Sequence, residues 1–218
     1  MYFESRGQAG EKLAEELFEK YRYENSVILA VNLGGVLVGK PISQKIHCPI
    51  SLLLSEQIDI PGQNLQIGSV SQTGNFTYND NLSSFEINEY KNEFYGYFEE
   101  QKRQAFHRIN RMVGDGGMCD RKLLNGRNVI IISDGFDDQT LLGAVMDFIK
   151  PVRIERLIAA APVASIGAVN RLHALVDELH VLDVKRNYFG ANHYFDDNNL
   201  PSQAEIIEQI NQNILSWQ

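Results

Sequence analysis

The alternation of apolar and polar positions predicts helices and strands in turn along the first third of the chain. Over residues 7–21, Leu13, Leu17 and Tyr21 recur four apart, which predicts an amphipathic helix. The stretch SVILAVNLGG then predicts a buried strand that ends in a glycine turn. A short helix over residues 36–46 and a second buried strand, PISLLL, complete a strand–helix–strand unit.

The middle of the chain follows two other patterns. The stretch LQIGSVSQTGNFTYND alternates apolar and polar residues around glycine and asparagine, which predicts a hairpin. Over residues 84–112, aromatic and apolar side chains fall at helical spacing, with Gly96 as a weak point. This aromatic stripe favours packing onto the protein itself, and a partner surface stays open as the alternative. The stretch GDGGMCDRKLLNGR predicts a flexible loop.

The remainder of the chain alternates strands and helices after the buried run at residues 129–132. This rhythm predicts a parallel sheet with right-handed crossovers. Ser202 and Glu205 have the spacing of a capping box at the start of a last helix. No repeat, low-complexity tract or linker interrupts the pattern, so we expect one domain over residues 1–218.

Composition and charge restrict the function classes. The chain has 218 residues, a net charge of −8 and a pI near 5.1, which argues against a general nucleic-acid or anionic-membrane surface. Small anionic ligands, which local donors can hold, stay open. We expect a cytoplasmic protein, because no signal peptide or membrane span is evident and the two cysteines lack metal or CxxC spacing.

The stretch VIIISDGFDDQT carries the candidate chemistry. Asp134 follows a buried strand, where a carboxylate can accept hydrogen bonds from a sugar diol or help to hold hydrated Mg²⁺. The loop after it leads into a helix and can hold a phosphate through backbone N–H groups, with Thr140 as a hydroxyl donor. Asp137 and Asp138 oppose a phosphate by roughly 4 kcal/mol for each close unit charge. The open alternative is that these two residues cap the next helix.

Other charged residues give weaker signals. The five histidines show no metal-ligand spacing, so surface or core positions are the default expectation. Lys102, Arg103, Arg108 and Arg111 form a basic run on the helix of residues 84–112. They predict a solvated face, or alternatively a source of cations for an anionic ligand.

The order of these motifs resembles that of the type I phosphoribosyltransferases. The stretch IIISDGFDDQT is similar to that family's strand, Asp-Asp-Gly and glycine-threonine loop. The stretches FESRGQAGEKLAEEL, VILAVNLGGVLVG, IDIPGQNLQIGSV and NYFGANHYFDD resemble other segments of one branch of the family, in the same order. The resemblance implies a Rossmann-like α/β fold with a mostly parallel central sheet and flanking helices. It also implies a helical insertion with a loop at residues 85–118, and a small C-terminal hood and helix at residues 183–218.

The resemblance also implies roles for particular residues toward phosphoribosyl diphosphate. The resemblance assigns binding of the ribose hydroxyls to Ser133 and Asp134. It also implies that Asp134 is the catalytic residue and that it contacts Mg²⁺ through the substrate. Residues 55–57 stand where the family has a basic pair. The positions implied for the pyrophosphate turn are Asn32, Leu33, Gly34 and Gly35. The positions implied for the phosphate loop are Gly135, Phe136, Asp137, Asp138, Gln139 and Thr140. The positions implied for a hood over the acceptor base are Tyr188, Phe189 and Tyr194.

The departures from the family pattern all act against an anionic donor. Ser133 replaces the first acid, Leu33 replaces the turn's arginine, and residues 56–57 are Glu-Gln instead of a basic pair. Each lost charge-assisted contact costs on the order of 1.5–3 kcal/mol. We therefore expect a weak or inactive transferase whose former cleft binds a nucleotide-like or other small ligand or a partner.

Two other hypotheses stay open. The first is an active Mg²⁺-dependent phosphoribosyltransferase that transfers ribose 5-phosphate to a nitrogenous base. The second, from the carboxylates alone, is a divalent-metal site of Asp134, Asp137 and Asp138 in a hydrolase or binding protein. A homodimer is plausible by the family resemblance, with a phosphosugar or nucleotide as the small-molecule ligand.

Overall fold

The computed structural model describes residues 1–114, 119–137 and 142–215. The strands are β1 (Ser26–Ala30), β2 (Ile50–Leu52), β3 (Ser55–Asp59), β4 (Gln66–Ser71), β5 (Phe76–Tyr78), β6 (Asn128–Ile132), β7 (Arg156–Ser165) and β8 (Glu178–Lys185). The helices are α1 (Arg6–Tyr21), α2 (Leu33–Ile46), α3 (Ser84–Glu93), α4 (Tyr95–Gly114), α5 (Leu142–Ile149), α6 (Ile166–His173) and α7 (Gln203–Leu215).

The chain divides into two compact units. The first unit comprises Met1–Leu52, Cys119–Asp138 and Val152–Gln218, and the second comprises Leu53–Met118 and Gln139–Pro151. A single domain over residues 1–218 stays a prediction.

The first unit contains a five-stranded parallel sheet in the order β2-β1-β6-β7-β8. Every residue of β1 and β6 is buried, as expected for central strands of a parallel sheet that helices cover on both faces. The predicted strand–helix alternation and parallel α/β class are therefore confirmed.

The first two helices begin at capped residues. The side chain of Ser5 accepts a hydrogen bond from the backbone N–H of Gln8 at 3.2 Å, and α1 begins at the next residue. Asn32 caps α2 in the same way, so this helix begins at Leu33, three residues before the predicted start. The capping box of Ser202 and Glu205 is confirmed. The backbone N–H of Ser202 donates to Glu205 Oε2 at 2.7 Å, and the backbone N–H of Glu205 donates to Ser202 Oγ at 3.4 Å.

The second unit contains a three-stranded antiparallel sheet in the order β3-β4-β5. The predicted hairpin is confirmed as β4 and β5, joined by a turn in which Gly74 has a φ of +79°. Strand β3 was not predicted, because its sequence SEQID is polar and buries only Ile58 fully. The strand forms through its backbone pairing with β4.

Residues 84–112 form parts of two helices rather than one. The break falls at Phe94, which ends α3, and not at Gly96. Helix α4 buries Phe98, Ala105 and Ile109, which supports the packing interpretation for its part of the aromatic stripe. Helix α3 buries no residue.

The prediction of a flexible loop over GDGGMCDRKLLNGR is wrong in part. Residues Arg121–Leu124 form a turn of 3₁₀ helix that Asp120 caps, and Leu124 is fully buried. Residues 115–118 of that stretch lie outside the described part of the chain. Among the described residues, no helix is long and apolar enough to cross a membrane.

Glu178, at the start of β8, forms contacts that should make the stability of the first unit depend on pH. Its carboxylate accepts hydrogen bonds from Lys20 and from the fully buried Tyr21, the latter at 2.6 Å, and lies 3.6 Å from Arg156. Burial alone would raise the pKa of Glu178, but the hydrogen bonds from Lys20 and Tyr21 hold it below the ordinary value of 4.5. The unfolded state therefore binds more protons as the medium becomes acidic.

We expect the stabilisation that Glu178 provides to be complete above about pH 4.5 and to be lost as the pH falls through the lowered pKa. Glu178→Gln should reduce the free energy of unfolding at neutral pH and flatten its dependence on acid pH. Urea denaturation at a series of pH values measures both effects. Glu19→Gln, which removes an exposed carboxylate from α1, is the control. Equal acid dependence in wild type and Glu178→Gln would contradict the assignment.

Candidate functional site

The polar side chains of the candidate site meet where β1 and β6 end. These strands are parallel neighbours, so Asn32 after β1 lies beside Ser133 and Asp134 after β6. The side-chain amide of Asn32 donates to Ser133 Oγ at 3.0 Å and to Asp134 Oδ1 at 2.8 Å. Its carbonyl oxygen accepts from the backbone N–H of Gly35 at 2.6 Å. Asn32 therefore fixes the glycine turn to the end of β6.

Asp134 also forms a buried ion pair that the sequence did not predict. Its Oδ2 accepts a hydrogen bond from Arg6 Nε at 2.7 Å, and the two side chains are 8% and 2% exposed. Both carboxylate oxygens of Asp134 are thus engaged by other parts of the protein. An ion pair this deep requires nearly complete hydrogen bonding, since either charge alone would be strongly destabilising there.

A signal for Arg6 is present in the sequence. It precedes Gly10, Leu13 and Leu17 at intervals of four, three and four residues, so it lies on the apolar face of α1. A cation on the buried face of an amphipathic helix needs a buried acidic partner. The identity of that partner depends on contacts across 128 residues of sequence, which no local pattern supplies.

Arg6 also contacts the C-terminal segment of residues 192–198. Its Nη2 donates to Asn192 Oδ1 at 2.5 Å, while Nη1 lies 3.4 Å from the carbonyl oxygen of Asp197 and from Asn198 Oδ1. The guanidinium carbon lies 4.6 Å from the centre of the Phe195 ring. One arginine therefore joins the start of α1, the end of β6 and the C-terminal segment.

The two glycines of the turn are required by close approach. A Cβ atom on Gly34 would lie 2.1 Å from Asp134 Oδ2, and one on Gly35 would lie 2.5 Å from the carbonyl oxygen of Ile132. The turn can contact the end of β6 only without side chains at these positions. Leu33, next to them, is half-buried.

Of the three predicted hood residues, Tyr188 lies at the end of β6, and its ring centre is 5.5 Å from that of Tyr194. A Cβ atom on Gly135 would lie 2.1 Å from the hydroxyl of Tyr188, so this ring covers the strand end. Burial raises the pKa of Tyr188, and the charges of Asp137 and Asp134 raise it further. Tyr194 is a buried residue of the C-terminal segment, and its hydroxyl donates a hydrogen bond to the carbonyl oxygen of Asn187 at 3.1 Å.

Phe189, the third predicted hood residue, is 71% exposed and packs its ring edge-on against His193, with the ring centres 5.3 Å apart. Phe136, predicted for the phosphate loop, is fully buried and bridges to Ala164, so its side chain belongs to the core. Asp137 is half-buried. Asp138, Gln139 and Thr140 lie outside the described residues, and their role in a phosphate loop stays a prediction.

Three of the four residues in the basic run that was predicted as a source of cations are paired with carboxylates inside the second unit. Lys102 lies 2.9 Å from Glu99, Arg103 pairs with Glu100, and Arg108 lies 3.2 Å from Glu56. Glu56 belongs to β3, at the position where the resemblance places a basic pair. These pairs favour the solvated-face interpretation of the run.

A direct metal site is not evident in the described part of the chain, where no group of three or more His, Cys, Asp or Glu side chains could hold an ion. The hypothesis of an acidic metal loop includes Asp138, which lies outside that part. The two carboxylate oxygens of Asp134 accept hydrogen bonds from Arg6 and Asn32. Contact of Asp134 with Mg²⁺ through a substrate stays a prediction.

A parallel α/β sheet with a carboxylate, an amide and a glycine turn at its carboxyl edge defines a class of proteins that bind ligands at that edge. Comparison with known families narrows the class. The model of the phosphoribosyl transferase domain matches residues 3–169. The chain therefore belongs to the phosphoribosyltransferase family, and its fold is that of the type I enzymes.

A solved structure supports the fold over the whole chain. TT1426 from Thermus thermophilus has a TM-score of 0.72 and 23% identity, over 100% of this chain and 99% of that one. The similarity to two phosphoribosyltransferases is lower. The hypoxanthine enzyme from Staphylococcus aureus has a TM-score of 0.49 and 13% identity, over 87% and 78% of the two chains. The purine enzyme from Pyrococcus horikoshii has a TM-score of 0.45 and 13% identity, over 89% and 90%. No curated protein matches the chain in sequence.

Proposed function

We propose that this protein is a phosphoribosyltransferase-family member with weak or no transferase activity. In this proposal its former donor site binds a nucleotide-like or other small ligand that carries less negative charge than phosphoribosyl diphosphate, or a partner. The observation that carries the proposal is the buried carboxylate of Asp134, whose two oxygens are held by Arg6 and Asn32. This is the carboxylate to which the family resemblance assigns the ribose hydroxyls.

Competition for Asp134 makes donor binding costly. Because the Asp134 side chain is only 8% exposed, a ribose diol could reach its remaining lone pairs only by moving Arg6 or Asn32, and breaking a buried ion pair costs about 3–5 kcal/mol. That amount corresponds to roughly two to four orders of magnitude in the dissociation constant. Leu33 and Glu56 supply none of the positive charge that the family places at these positions, so they offset none of the cost.

The test is calorimetric titration of phosphoribosyl diphosphate with Mg²⁺ into the protein, followed by a transferase assay with the common purine and pyrimidine bases. We expect no heat and no thermal stabilisation at millimolar donor, and no turnover. Ribose 5-phosphate, which lacks the pyrophosphate, and an uncharged nucleoside serve as ligands of lower charge. Micromolar donor binding together with turnover of any base would overturn the proposal.

An active transferase is the second candidate, and one observation favours it. Arg6 supplies a cation beside Asp134 that the loop sequence itself lacks. A donor that drew Arg6 toward its phosphate would release Asp134 for the ribose, while Mg²⁺ would offset the remaining carboxylates. For this candidate, Asp134→Asn should lower turnover severely and Asp137→Ala should change it little or raise it. An unchanged rate in Asp134→Asn would reject it.

The cellular setting belongs to the same proposal. Cys48 and Cys119 are buried thiols that form no disulfide, and burial raises the pKa of both, which lowers their reactivity. Such thiols suit a reducing compartment such as the cytoplasm. A role in nucleotide metabolism and a homodimeric assembly are further parts of the proposal, which sedimentation analysis and metabolite profiling of a deletion strain would test.

A further inference from the structure

The parallel sheet of the first unit ends in two edge strands that differ in length. Strand β2 has three residues, and helix α7 lies next to it. Strand β8, at the other edge, has eight residues, and in the described part of the chain it pairs with β7 alone. An edge strand presents a row of backbone N–H and C=O groups with which another strand can pair. Strand β8 is therefore the long edge at which this sheet can be extended.

Strand β8 lacks several features that protect the edges of sheets. Such edges are commonly short, interrupted by proline or a bulge, or covered by another element. The sequence of β8, ELHVLDVK, has no proline, and its register with β7 stays constant from Glu178 to Lys185. None of its eight residues is fully buried, and Val184 is 47% exposed. The strand therefore carries accessible apolar side chains along an edge of the sheet.

The charges at the two ends of β8 favour a second copy of the same strand as its partner. Asp177 and Glu178 lie at the start of the strand, and Lys185 and Arg186 lie at its end. Asp183, the remaining carboxylate, is already paired with Lys185 at 2.7 Å. In an antiparallel pair of copies, each acidic start lies beside a basic end, whereas a parallel pair would place like charges together, which is destabilising. The charge pattern is therefore complementary to itself in the antiparallel orientation.

Helix α6 borders the same edge. It packs next to β8, and Ile166 at its start and Leu175 just after its end are each 41% exposed. A stable interface buries roughly 1,200–2,000 Å² in total, which is more than one pair of strands supplies. The two-fold axis of an antiparallel strand pair runs perpendicular to the sheet, so both copies of α6 lie on the same face of the extended sheet. The interface therefore includes α6 as well as β8.

We propose that two copies of this chain associate through β8, which pairs antiparallel with itself and joins the two five-stranded sheets into one continuous sheet. The proposal rests on the homodimeric assembly proposed above and assigns a surface to it. It does not depend on transferase activity or on the state of Asp134. A homodimer that forms through another surface would leave the assembly proposal standing and would reject this one.

Sedimentation equilibrium between about 1 and 100 µM protein tests the association, and we expect a dimer with a dissociation constant in the micromolar range. Val184→Lys places an ammonium group on the edge and should weaken the dimer at least about tenfold, because lysine at an edge opposes strand pairing. Leu200→Lys is the matched control. Leu200 is 42% exposed and lies outside β8 and α6, so this variant should associate as the wild type does.

A charge reversal tests the pairing of the strand ends. Arg186→Glu gives both ends of β8 acidic residues, and the two-fold symmetry repeats the change, so the dimer should weaken at least about fivefold. Lys122→Glu makes the same change of charge at an exposed residue outside β8 and α6 and should leave the association unchanged.

A distance measurement tests the orientation. A nitroxide label on Asn187→Cys, an exposed position just beyond β8, reports the separation of the two copies by pulsed electron paramagnetic resonance. Antiparallel strands should separate the two labels by at least the length of β8, roughly 26 Å, whereas parallel strands would bring them within about 15 Å. Cys48 and Cys119 are buried, so the label should attach to the new thiol.

Four results would overturn the proposal. The first is a wild type that stays monomeric at about 100 µM, and the second is association of Val184→Lys or Arg186→Glu with the affinity of the wild type. The third is a loss of affinity in Leu200→Lys as large as that in Val184→Lys. The fourth is a label separation within about 15 Å.

Discussion

Replacing Arg6 by alanine is expected to destabilise the folded protein by about 3–5 kcal/mol. The substitution leaves the Asp134 carboxylate buried with only Asn32 as its partner, and it removes the hydrogen bond to Asn192. A buried carboxylate without a counter-ion must either be protonated or draw water into the structure, and both responses cost free energy. The measurement is the free energy of unfolding from urea denaturation at neutral pH.

Two controls separate the ion pair from the loss of packing. Adding Asp134→Asn to Arg6→Ala removes the unpaired charge and should recover part of the loss, because the amide is far less costly to bury than a carboxylate. Arg103→Ala breaks an ion pair with the exposed Glu100 and should have only a small fraction of the effect. Equal stabilities of the Arg6 and Arg103 variants would show that the Arg6–Asp134 pair contributes nothing.

Gly10→Ala is expected to be the second severe substitution. Gly10 lies in α1, where a Cβ atom would come within 2.2 Å of the backbone carbonyl oxygen of Val38 in α2. A backbone atom cannot rotate away as a side chain can, so the two helices must separate. Overpacking of this kind costs about 1–3 kcal/mol or more, and the thermal midpoint of unfolding should fall by several degrees.

Gly7→Ala provides the comparison within the same helix. A Cβ atom on Gly7 would meet only Ser5 Oγ, at an ordinary 3.7 Å. Alanine has a higher helix propensity than glycine, so this variant should gain up to about 1 kcal/mol in the free energy of unfolding. The two substitutions are therefore expected to change the free energy of unfolding in opposite directions. If Gly10→Ala were as stable as Gly7→Ala, the close contact of α1 with α2 would be refuted.

The periodicity of the sequence was sufficient for most of the secondary structure. The helix over residues 7–21, the buried strands and the hairpin are set by local alternation of apolar and polar residues, and each has a counterpart in the fold. Strand β3 was not predicted, because four of its five residues are not fully buried and no alternation of apolar and polar residues marks it. Its formation depends on backbone pairing with β4, which lies beyond any local window.

The candidate site was predictable to the extent that it follows strand ends. Asn32 and Asp134 lie at the carboxyl ends of neighbouring parallel strands, and a parallel sheet must bring such residues together. The state of Asp134 was not predictable, because it depends on Arg6, which is 128 residues away in sequence. The family resemblance supplied a stretch that contains Arg6 but no role for it.

The contacts of Arg6 also have a consequence for synthesis of the chain on the ribosome. Arg6 is translated 128 residues before Asp134 and 186 residues before Asn192. At roughly 5–20 residues per second, the second interval lasts on the order of 10–40 s. Until Asp134 is made, α1 carries a cation on the face that it must bury without its buried counter-ion, and until Asn192 is made it lacks the second partner. The full set of contacts of Arg6 can therefore form only after residues 192–198 have left the ribosome, long after α1 itself has been made.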